Sequence, residues 1–155
     1  MNKEQMIVLL QEYGKNKYSL YQARKEYSKL DHYVYEYNIT LGSSYEINSD
    51  IRPKNKTSDK VANAVIDIEK KKEQNKVKMQ ELEHTIAELE EKIEEVDQFL
   101  NALYDYERYA IENFYMRKRT QYNIGEKIFL EEFGMQRSEK TIKNIIKKAF
   151  KRLNM

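Results

Sequence analysis

The sequence has no cysteine, no tryptophan, a single proline and four glycines in 155 residues. Without cysteine neither a disulfide framework nor a thiolate zinc site can be built, and a reducing cytoplasm is permitted. Only two histidines occur, His32 and His84, far apart in the chain, which leaves little material for a histidine metal site or a catalytic dyad. Gly and Pro supply most sharp reversals of a chain, so their scarcity means few turns. No apolar run approaches the roughly eighteen residues of a membrane span, and no membrane partner is expected. The N-terminal stretch MNKEQMIVLLQEYGKNK has an apolar segment too short for a signal peptide and no small-residue cleavage site.

What is present is charge and tyrosine. Charged residues make up 35% of the chain, and 13 Tyr stand against 5 Phe. Such a composition suits long solvated helices, because Tyr tolerates half-burial on a narrow seam with its hydroxyl wet. The net charge of +2 is unevenly placed. Glu81 to Asp97 holds eight acids and one base, a net −7, whereas Arg137 to Arg152 holds seven bases and one acid, a net +6. An acidic helix followed by a basic segment speaks of a partner rather than of a fold. The many carboxylates at 81–97 lack a histidine partner and a glycine phosphate loop, so neither an enzyme nor a cofactor is expected.

The hydrophobic spacing predicts an all-α chain. Met6, Leu9, Leu10 and Tyr13 mark a short helix over 3–13, with Gly14 as its expected stop. A second helix, from about Tyr18, carries Leu20, Ala23, Tyr27, Leu30, Val34, Tyr37 and Leu41 at alternating spacings of three and four, a heptad seam meant for one partner helix. Gly42, two serines, Asn48 and Pro53 make 42–58 a loop. Ser58 then suits the N-cap of the longest helix, with Asp59 in its first turn. There the seam runs Val61, Val65, Ile68, Lys72, Asn75, Met79, Leu82, Ile86, Leu89, Ile93, Val96, Leu100, Leu103 without a slip. Lys72 and Asn75 are its polar members; they mark either a partly open seam or a device that fixes register. The 18–41 helix can fold back on the N-terminal half of this rod. Its acidic half then keeps an open seam, so Met79, Leu82, Ile86, Leu89, Ile93 and Val96 are expected to meet a second copy of the chain, a dimer being favoured.

After Leu103 the heptad stops. Tyr106, Tyr109, Ala110, Phe114 and Tyr115 mark a short amphipathic helix that runs into the polar Arg117-Lys118-Arg119-Thr120. A helix at about 124–133 follows, with Ile128, Phe129 or Leu130, and Phe133 inward. Gly134 suits a left-handed turn position, Met135 an apolar plug beneath the turn, and Ser138 the N-cap of a last helix over about 139–153. That helix has an apolar stripe of Ile142, Ile145 or Ile146, Ala149, Phe150 and Leu153. Arg137, Ser138, Lys140, Thr141, Lys143, Asn144, Lys147, Lys148 and Lys151 lie at its start or on its other faces. This is the layout a helix-turn-helix presents to duplex DNA: lysines to phosphates, with Asn144 suited to adenine and Arg137 to guanine or phosphate. The bland alternative is a three-helix end domain with a solvated lysine face.

Two stretches resemble the phage late-gene transcription activators of the RinA and ArpU type. One is Lys54-Asn55-Lys56-Thr57-Ser58-Asp59-Lys60-Val61-Ala62-Asn63-Ala64-Val65. The other combines Tyr106-Glu107-Arg108, Phe114-Tyr115, Arg137-Ser138-Glu139-Lys140-Thr141 and Lys147-Lys148-Ala149-Phe150-Lys151-Arg152-Leu153. The second is similar to region four of sigma factors, although the segment from Met116 to Phe133 is longer than in a minimal module of that kind. The resemblance covers roughly 43–153. It implies a phage or prophage late-gene activator in the bacterial cytoplasm, with RNA polymerase as a candidate partner. The expected organisation is N-terminal helices over 1–41, a loop over 42–58, a long coiled-coil helix over 59–103 and a helix-turn-helix module over 104–155. Two other classes fit the same pattern: a small terminase-type DNA-packaging subunit, which would assemble as a ring, and a structural coiled-coil adaptor without DNA binding.

Overall fold

The computed structural model describes residues 2–46 and 58–155, with side chains for 2–33 and 65–155. Among the described residues it is all helical, without a strand. Helices α1 (Lys3–Glu46) and α2 (Ser58–Asn101) have 44 residues each. Helix α3 (Asp105–Ile111) continues into a π-helical turn, Glu112–Met116. Helix α4 (Gln121–Asn123), a second π-turn (Ile124–Ile128) and α5 (Phe129–Phe133) follow one another without a break, and α6 (Glu139–Arg152) closes the order. No helix of the described residues is long and apolar enough to cross a membrane.

Two expectations about α1 are corrected. Gly14 does not stop a helix, and the helix does not end at Leu41 but continues through Gly42 to Glu46. A helical Gly is about 1 kcal/mol less favourable than Ala, and burial on either side of Gly14 outweighs that. Met6 and Leu10 are fully buried before it and Asn16 is buried after it, while Gly14 itself faces solvent. The seam runs 6, 10, 13, 16, with Asn16 as a polar member that the apolar pattern hides. Ser58 lies inside α2 as its first residue. The rest of the expected loop, 47–57 with Asn48, Pro53 and the Lys54–Thr57 part of the motif, lies outside the described residues, as do the side chains of Val34, Tyr37, Leu41 and Val61.

The chain divides into two compact units. The paired-helix unit, Leu20–Glu88, contains only parts of α1 and α2. In it Leu20, Ala23, Tyr27 and Leu30 on one helix, and Val65, Ile68, Lys72, Asn75, Met79, Leu82 and Ile86 on the other, are half-buried or buried. Every other described side chain of that unit is exposed. That is the predicted heptad seam at each of its described positions in this unit. Tyr27 Oη donates to Glu83 Oε1 at 2.7 Å and Lys78 Nζ lies 2.6 Å from Glu26 Oε1, both at the solvated edge, where water screens such contacts.

The terminal unit joins Met1–Ser19 to Leu89–Met155. One hydrophobic cluster holds Met6 and Leu10 of α1, Val96, Phe99 and Leu100 at the end of α2, Leu103 in the turn after it, Ala110 and Ile111 of α3, Ile124, Ile128 and Phe129 of the 121–133 helix, and Ile142, Ile146, Ala149 and Phe150 of α6. At the end of α2 the narrow seam widens: Phe99 joins the buried stripe and stacks on Phe150 at 5.3 Å between centroids. The boundary expected at 103–104 is thereby corrected, because the last three helices close their core with the ends of both long helices. Val96 is buried in this core, Ile93 is buried on the same seam of α2, and Met79, Leu82, Ile86 and Leu89 are half-buried within the single chain.

Replacing Gly14 by Ala tests the uninterrupted helix. A Cβ there meets nothing within 4 Å, so Gly14→Ala should stabilise the protein by about 0.5–1 kcal/mol. Urea denaturation that showed a decrease instead would mean residue 14 is not helical.

Candidate nucleic-acid interface

The site begins with a stop and a start. Gly134 takes the left-handed conformation (φ 66°) that ends α5, and its N–H donates to the Leu130 carbonyl at 3.0 Å. Four residues later Ser138, extended (φ −68°, ψ 155°), caps α6 by accepting from the Thr141 N–H at 3.3 Å. Both match the sequence expectation. Met135 does not: it is half exposed rather than a plug beneath the turn. The turn is held by backbone instead. Arg137 N–H donates to the Gly125 carbonyl at 3.0 Å, and a Cβ on Gly125 would stand 2.0 Å from the Arg137 carbonyl oxygen. Only glycine admits so close an approach.

With its start fixed, α6 buries Ile142, Ile146, Ala149 and Phe150, half-buries Ile145, and turns Lys140, Lys143, Asn144, Lys147, Lys148 and Lys151 to solvent. Asn144 is one helical turn from Lys140, Lys147 and Lys148, at the centre of the exposed face. None of the five lysines has an ion-pair partner among the described residues. The other expected site residues behave differently. Thr141 is half-buried and its hydroxyl lies 2.9 Å from Ser138 Oγ, so these two serve the cap. The Arg137 side chain is exposed at the turn, 3.6 Å from Met135 Sδ. Glu139 is exposed in the first turn, where an acid suits the helix dipole.

Arg152, counted with the basic run, turns away from this face. Its guanidinium ion-pairs with Glu107, donates to the Ala102 carbonyl at 3.1 Å, and lies 4.3 Å from the centroid of the Tyr104 ring. The Glu107 hydrogen bond holds its pKa above the ordinary arginine value. Glu107 is only 3% exposed and also accepts from the Tyr104 N–H at 3.1 Å. This clamp ties the end of α6 to the corner between α2 and α3. In the sequence Glu107 and Arg152 stand only as motif letters, and their pairing across 45 positions has no local sign.

Beside Arg137 and Thr141 runs a groove of about 710 Å³ walled by Tyr104, Tyr106, Phe129, Phe133 and Ile145. It carries one carboxylate, Asp105, and no histidine or cysteine. His84 sits exposed, 3.4 Å from Glu88 on its own helix, and no group of three or more metal-ligating side chains occurs among the described residues. The basic α6 face, five exposed lysines about an exposed amide, is the candidate site. Comparison with protein-family models, with curated proteins and with solved structures gave no match.

Two measurements check the supports of the site. Gly125→Ala should lower stability by about 1–3 kcal/mol, the usual result of forcing an atom into filled space; an unchanged urea midpoint would show that the turn does not press on Gly125. Arg152→Ala should lower the thermal midpoint, since it leaves a buried carboxylate without its cation, and adding Glu107→Gln should recover part of that decrease. A silent Arg152→Ala would show that the clamp contributes nothing.

Proposed function

We propose that this chain is a sequence-specific, cytoplasmic regulator of transcription that binds duplex DNA through the exposed face of α6, the second helix of a helix-turn-helix. One observation carries this: five lysines without anionic partners among the described residues surround Asn144 on a helix whose start, end and inner face are all fixed. Lysines so placed reach phosphates, and a central amide can pair with the N6 and N7 edge of adenine in the major groove. The motif resemblance makes phage or prophage late genes the target we favour.

The test uses the full chain, a duplex selected from a random pool, and a scrambled duplex. Lys147→Glu with Lys148→Glu should weaken binding to both duplexes alike and lower the salt slope by roughly one for each phosphate no longer neutralised. Asn144→Ala should weaken the selected duplex alone, by about 1–3 kcal/mol of discrimination. Absence of any duplex binding by the wild type at low salt would overturn the proposal and leave a structural helical adaptor.

A further inference from the structure

The basic run Arg117-Lys118-Arg119 plays no part in the α6 face, yet its backbone is pinned at both ends. The π-turn closes with Arg117 N–H donating to the Glu112 carbonyl at 3.0 Å. The Arg119 N–H donates to the carbonyl of Asn113, a fully buried residue, at 2.9 Å. Thr120 then caps the next helix, its hydroxyl accepting from the Asn123 N–H at 3.2 Å. Between these anchors Lys118 takes a left-handed conformation (φ 53°), which a non-glycine residue rarely adopts. All three side chains are exposed and none has an ion-pair partner among the described residues. Glu112, on the preceding turn, is already held by Arg108 at 2.7 Å.

The turn is linked to the entrance of α6 through the 121–133 helix. Gly125 touches Arg137 at the entrance to α6. Thr120 precedes Gly125 by five residues, about 7–8 Å of helical rise. A helix lying in the major groove has backbone on either side of a gap about 12 Å wide, a distance that this offset plus an arginine side chain can span.

We propose that Arg117, Lys118 and Arg119 form a second phosphate-binding element, which grips the DNA backbone beside the groove that α6 enters. The inference rests on the DNA-binding reading of α6 and adds a separate contact to it. The element would supply affinity on any sequence and fix the position of α6, without reading bases.

The experiment compares the full-length wild type, Arg117→Gln with Arg119→Gln, Lys118→Gly, and the Lys147/Lys148 double variant, by fluorescence anisotropy on selected and scrambled duplexes over a salt series. For the arginine pair the slope of log affinity against log salt should fall by about 0.9 for each phosphate released, which weakens binding about ten- to thirtyfold near physiological salt. Both duplexes should be affected equally, and the thermal midpoint should hold. Lys118→Gly should raise the thermal midpoint by relieving the left-handed backbone while lowering DNA affinity; a purely structural lysine would leave affinity unchanged. An unchanged slope in the arginine variant, with a lowered slope in the Lys147/Lys148 variant, overturns this element and leaves α6 standing. Failure of the wild type to bind either duplex overturns both.

Discussion

The inner stripe of α6 is buried by residues from four separate stretches of chain: the start of α1, the end of α2, the 105–116 helix and the 121–133 helix. Phe150 is at the centre of this packing, stacked on Phe99 and edge-on to Tyr115. Burying a side chain of this size contributes about 1.5–3 kcal/mol, and the same packing sets the rotation of α6 about its axis. A rotation of one residue, about 100°, would bring an apolar position to the surface and a lysine into the core. The outward direction of Asn144 and the five lysines is therefore a consequence of packing on the opposite side. Gly125 against Arg137 fixes one end of the helix and Glu107 with Arg152 the other.

This dependence changes the meaning of the long helices. The heptad pattern in α2 asks for a partner helix, and sequence alone leaves two sources open, the same chain or a second copy. The tyrosine-rich α1 answers through its length: it passes Gly14 and offers a seam from Met6 to Leu30 rather than one that begins at Tyr18. Within one chain the seam of the acidic half of α2 is half-buried at Leu82, Ile86 and Leu89, and its last turns become the floor of the α6 core. The ends of the long helices are part of the foundation of the basic unit, not an arm to which it is attached.

How far the sequence discloses this depends on whether each signal is local. The α2 seam was legible because a strict spacing of three and four repeats over thirteen positions, and each described member is covered while its neighbours from 65 to 92 are exposed. Gly134 and Ser138 were legible because caps use chemistry within a few residues. Gly14 misled for the same reason: a local breaker was weighed without the burial that overrides it. Ile146 over Ile145 and Phe129 over Leu130 could not be chosen by period alone. The π-turns shift the helical phase by a fraction of a turn and leave no periodic trace. The Gly125–Arg137 approach and the Glu107–Arg152 clamp exist only once distant segments have met.

The exposed face of α6 can also be weighed against the bland possibility of a helix that is merely soluble. A face under selection for solubility alone gains by mixing signs, since Glu and Lys one turn apart stabilise a helix by about 0.2–0.5 kcal/mol and like charges destabilise it by as much. The 70–81 stretch of α2 follows that rule, interleaving Lys70, Lys71, Glu73, Lys76, Lys78 and Glu81, whereas the charges of its 81–97 stretch are nearly all acidic. On α6 the sign is single after Glu139. Lys140 and Lys143, Lys143 and Lys147, Lys147 and Lys151, and Lys148 and Lys151 are all like-charged neighbours at three or four residues. Those four pairs together cost about 1–2 kcal/mol at low salt. A polyanion lying along α6 would turn that repulsion into attraction, which is the physical reason for preferring a nucleic-acid face to a solvated one.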